Sequence, residues 1–137
     1  MEKNIRDAIV TVLQGLGIFE NVYSSDVSEY GGYPTAVVTP SENDSDYGST
    51  ESDKVTFIFK VRIVYLIQDK TQQTAVDNIM YDLSDSVLKA FKTRGVLGSV
   101  CDWVQPVPSI WGTEDRGESV NRTREFTIKC KKFVQNA

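Results

Sequence analysis

Between Lys54 and Ile67 the sequence commits to a long β-strand. Val55, Phe57, Phe59, Val61, Ile63 and Tyr65 take every second position, which puts them on one face of a pleated ribbon. Lys60 and Arg62 fall on the opposite face beside Ile58 and Val64, so that face is mixed and expected to be partly covered. A strand with one wholly apolar face needs neighbours at its sides and a second layer over that face. The rest of the chain is read for both.

Two amphipathic helices can supply the layer. In the first, Ile5, Ala8, Ile9, Val12, Leu13 and Leu16 form one apolar stripe, with Gly15 and Gly17 marking its end. The second spans Thr71–Thr93, with Val76, Ile79, Met80, Leu83, Val87 and Phe91 as its stripe. Asp77, Asp82 and Asp85 precede Lys89, Lys92 and Arg94, which suits the helix dipole, and Gly95 follows as a stop.

The neighbouring strands come from four further segments. A short strand is expected at Asn21–Ser24, then a turn at Glu29–Tyr30–Gly31–Gly32, then a strand over Tyr33–Thr39. Two long strands, Val100–Trp111 and Ser119–Val134, read as a hairpin with its tip near Thr113–Gly117. Symmetry about residues 115 and 116 would set Cys101 opposite Cys130, Trp103 opposite Ile128 and Gln105 opposite Phe126. Pro106 and Pro108 lack N–H groups two positions apart, which suits an edge strand. The order α-β-β-β-α-β-β gives an α+β fold. It has a mixed, mainly antiparallel sheet of four to five strands and two helices on one face. The 137 residues suit a single domain spanning the whole chain.

Residues 41–53 stand apart. They carry Glu42, Asp44, Asp46, Glu51 and Asp53 with no Lys or Arg, and read as a long mobile loop. Removing those five acids from the 19 leaves 14 against 15 bases, so the net charge of −4 is concentrated there. Residues 116–132 lean the other way, with Arg116, Arg122, Arg124, Lys129, Lys131 and Lys132.

The sequence carries little chemistry. It has no histidine, which removes Ser-His-Asp and Cys-His nucleophiles and His-based metal sites. No phosphate-binding glycine loop is present. The acidic loop fails the EF-hand pattern, because setting Gly48 at its sixth position would put Tyr47 at a ligand position. Neither metal nor cofactor is therefore expected, and no enzymatic activity. Cys101 and Cys130 read as small core residues rather than a redox pair. The opening helix is no signal peptide, and no apolar run approaches the ~20 residues that span a bilayer. No membrane partner is expected, and a reduced intracellular setting is.

The opening helix, the run Tyr33-Pro34-Thr35-Ala36-Val37-Val38-Thr39-Pro40-Ser41-Glu42, the acidic Asp44–Asp46–Tyr47–Gly48 segment, the strand Thr56–Tyr65, the helix after Asp69–Lys70 and the closing hairpin follow in one order. In that order and texture the chain resembles the tail-terminator proteins of long-tailed bacteriophages. More loosely it resembles the related tail-completion and head–tail joining proteins. The resemblance implies a homo-oligomeric ring of six copies that caps the tail tube and stops its growth. It also implies a surface for neck and connector proteins, with DNA passing through the hole without specific binding. It places the protein in the virion at the tail–neck junction, after assembly in the host cytoplasm. Within that frame, Glu42, Asp44, Asp46, Tyr47, Glu51 and Asp53 are expected to dock on the tube or neck. Arg116, Arg122 and Arg124 are expected on a basic strand edge, contributing to a subunit contact of the heterologous kind that rings use. A head–tail joining protein is the alternative reading.

Overall fold

A computed structural model describes residues 2–27, 30–40, 46–47, 54–67, 73–92, 97, 103–115 and 120–133. The elements are α1 (Glu2–Gly15), β1 (Asn21–Tyr23), β2 (Thr35–Pro40), β3 (Asp46–Tyr47), β4 (Lys54–Ile67), α2 (Gln73–Lys92), β5 (Trp103–Asp115) and β6 (Val120–Phe133). They form an α+β fold around a six-stranded sheet ordered β1-β2-β4-β6-β5, with β3 added to β4. All pairings are antiparallel except β1 with β2. The expected long strand appears as β4 with the bounds the alternation gives, paired to β6 along its whole length. One strand more is present than the sequence suggests. Asp46–Tyr47, inside the segment read as a mobile loop, pairs with Thr56 and Val55 of β4.

Both helices cover one face. Phe59, Val61 and Ile63 of β4 share it with Ala36 and Val38 of β2 and with Phe126, Ile128 and Cys130 of β6. Ile5, Ile9 and Leu13 of α1 and Val76, Met80, Leu83, Val87 and Phe91 of α2 close over them in one core. The burial of each large side chain contributes about 2 kcal/mol. That docking is what holds a 14-residue helix such as α1, which would be marginal alone. Gly17, at φ 68°, ends α1 in the left-handed conformation that costs a side chain most. Ile79 departs from its expected place in the buried stripe and is 38% exposed. The stripe runs through Val76, Met80, Leu83, Val87 and Phe91 at steps of three and four, and Ile79 lies to one side of it.

The hairpin register differs from the symmetric expectation. Cys130 faces Val104, Ile128 faces Pro106, Phe126 faces Pro108, and Trp103 and Gln105 face Lys131 and Lys129. Cys101 lies outside the described residues. Two features cause the shift. Pairing continues through Gly112 to Asp115 and Val120, so the turn falls later, and a bulge between Pro108 and Ile110 adds a residue to β5. A Cβ at Gly112 would sit 2.9 Å from Thr123 Oγ1, so this glycine permits close strand approach and is no turn residue. The edge assignment from Pro106 and Pro108 agrees with the topology, in which β5 ends the sheet.

Candidate assembly surface

On the helix-covered face, the apolar alternation of β6 runs Cys130, Ile128, Phe126 and then changes to Arg124 and Arg122. Opposite them on β5 stands Trp111, paired with Arg124. Both guanidinium groups lie against its indole, the Arg122 carbon 5.0 Å and the Arg124 carbon 4.5 Å from the ring centre. Arg124 also lies 5.6 Å from the Phe126 ring centre. From α2, Tyr81 meets Trp111 edge to face at 5.2 Å and remains 56% exposed. Asp77, one helical turn earlier, accepts from Arg122 Nε at 3.0 Å. A second Arg122 donor, Nη1, reaches the Gly112 carbonyl at 3.2 Å. Tyr81, Trp111, Arg122 and Arg124 thus form an aromatic–arginine patch beside the sheet's open edge.

The outer face carries a different cluster. The segment between β1 and β2 brings Tyr30 against β4, where Arg62 Nη2 donates to the phenol oxygen at 3.3 Å. The phenol donates in turn to Glu114 Oε1 at 3.0 Å. Asp26 accepts from Arg62 Nη2 at 2.9 Å, and Asn121 Nδ2 reaches Glu114 at 3.5 Å. Tyr30 also packs against the rings of Tyr23 and Tyr33. Burial pushes the Tyr30 phenol above its ordinary value, with Arg62 pulling against it. For Arg62, burial works to lower the pKa, but Tyr30, Asp26 and Glu114 outweigh it and hold the group charged. This network fastens the β1–β2 segment onto the mixed face and gives that face the partial cover its sequence demands.

The expected site residues separate under this geometry. Arg122 and Arg124 come together, but not on a strand edge. They sit on β6, between β4 and β5, half-buried and facing α2. The exposed basic edge is corrected to a packed arginine pair, because their parity on β6 matches that of Phe126 and Ile128. Arg116, Glu42, Asp44, Glu51 and Asp53 lie outside the described residues. Asp46 and Tyr47 form β3, some way along β4 from the arginine pair: β3 pairs at Thr56 and Val55, whereas Arg122 and Arg124 pair at Tyr65 and Ile63. The sequence marks none of Asp77, Tyr81 and Trp111 as a site residue. The legible signal was the change from apolar to arginine on one face of β6. Among the described residues no group of three or more His, Cys, Asp or Glu side chains could hold a metal ion. No described helix is long and apolar enough to cross a membrane. A scan against protein-family models matches none, and a search of curated proteins finds no relative.

Proposed function

We propose that this chain is a ring-forming structural protein of the tail-terminator type, which caps a phage tail tube, stops its growth and offers a surface to the neck. In this reading it contributes shape and charge to an assembly and makes or breaks no covalent bond. The observation that carries it is the patch of Tyr81, Trp111, Arg122 and Arg124 next to the open β5 edge. Tyr, Trp and Arg are the residues that most often anchor protein contacts. A ring needs two unlike patches on each copy. The acidic residues 41–53 offer, by sequence, a surface of opposite charge. The resemblance in element order and the Tyr33–Glu42 run supports the same role.

Light scattering with negative-stain imaging of the purified chain, alone and with purified tail tubes, tests this. Rings alone, or rings formed at tube ends, are the expected result. A chain that remains monomeric and does not co-sediment with tubes would refute it, and binding to portal-side proteins instead would favour a head–tail joiner.

A further inference from the structure

We propose that Arg124 is the receptor for a carboxylate side chain from an acidic protein segment, with Trp111 and Phe126 as its floor and Arg122 and Tyr81 at its sides. The inference rests on reading this patch as a contact surface, and does not require that the copies close into a ring.

The argument is a charge count. Two guanidinium groups share one indole, and among the described residues only Asp77 forms an ion pair with either. Arg122 takes that carboxylate and adds the Gly112 carbonyl. The Arg124 side chain makes no hydrogen bond or ion pair to any described residue. Its Nε is buried without a partner, although the group is held at 4.5 Å and 5.6 Å from two rings. A cation in a partly dry setting with no counter-charge is a costly arrangement. Among the described residues the cluster is one anion short. The Trp111 and Phe126 rings lie against the guanidinium and restrict its position, which favours ordered donors for a ligand. A carboxylate matches that fork with two parallel hydrogen bonds.

The occupant is an acidic peptide rather than a nucleic acid for two reasons. The chain's net charge of −4 lacks the basic excess that nucleic-acid binders carry. Tyr81, 56% exposed and edge-on to Trp111, also adds apolar contact area beside the anion position.

The test uses the full chain and a blocked hexaglutamate peptide, followed at the Trp111 indole N–H by NMR, with Trp103→Phe to assign the signal. Saturable, salt-sensitive shifts are expected with hexaglutamate and none with hexaglutamine. Arg124→Gln should weaken binding about tenfold, the loss of one charge-assisted contact. Arg124→Lys keeps the charge but loses the fork, and Tyr81→Ala changes an exposed side chain. Each should fold and weaken binding by a smaller factor, so a misfolded Arg124→Gln would not shield the proposal. Equal binding by the folded Arg124 variants, or by hexaglutamine, would overturn it. So would tighter binding of a ten-nucleotide oligo-dT, which would assign the patch to nucleic acid. A monomer that binds hexaglutamate upholds this site while refuting the ring, and a ring indifferent to the peptide does the reverse.

Discussion

Two arginines, one on each face of the same sheet, show how differently a half-buried cation can be treated. Arg62, on the outer face, has Asp26, Tyr30 and Glu114 around it. Arg124, on the helix-covered face, has two aromatic rings and no counter-charge among the described residues. The first arrangement has its charge balanced by Asp26 and Glu114, although the Arg62 Nε, like that of Arg124, has no hydrogen-bond partner, and it fastens a connecting segment to the sheet. The second has no counter-charge among the described residues, and in our proposal a partner supplies it. Charge satisfaction separates a residue that holds the fold from one that waits for a partner, where burial alone would class them together.

The largest perturbation of this contrast removes the floor of the Arg124 site. Phe126→Ala empties a wholly buried core position beneath Arg124 and should cost about 3–5 kcal/mol in urea unfolding. Arg62→Gln should cost about 2 kcal/mol, because Tyr30, Asp26 and Glu114 lose a shared charged donor. Gly17→Ala, which leaves both arginines untouched, should cost about 1 kcal/mol from the positive φ alone and so calibrates the scale. Arg124→Gln should shift stability by less than about 1 kcal/mol, since lost ring contact is offset by removing an unpaired buried donor. The outer cluster adds a pH signature. The folded value of Tyr30 lies above its ordinary 10.0, so the fold favours the neutral phenol. That contribution is complete below pH 10 and is lost as pH rises through the folded value. Stability curves for Tyr30→Phe should therefore lack part of the alkaline decline seen in the parent chain.

How much of this was legible in the sequence differs by element. β4 was readable to its ends because period-2 alternation over 14 residues has no helical counterpart. Both helices were readable from their stripes, with Ile79 as the misplaced member. The hairpin register was not, because Gly112 looks like a turn residue and serves as a close-approach residue, while the bulge after Pro108 leaves no composition signal. β3 is two residues long and too short to show a period. For the site, charge picks out Arg122 and Arg124 but suggests a strand edge, whereas both lie on an inner strand. Their parity with Phe126, Ile128 and Cys130 already placed them on the covered face. Trp111 and Tyr81 come together only through the packing of α2 on β5. Tyr30 and Glu114 are 84 residues apart in the chain, and no local pattern links them.

The most direct measurement sets the two arginines side by side. Arg62→Gln and Arg124→Gln are each carried through urea unfolding and through mass determination by light scattering at matched concentration. We predict that Arg62→Gln lowers the unfolding free energy and leaves assembly of the folded protein intact. Arg124→Gln should keep the stability and lose the assembly. Arg124→Gln assembling like the parent chain, or both variants losing stability equally, would contradict the account.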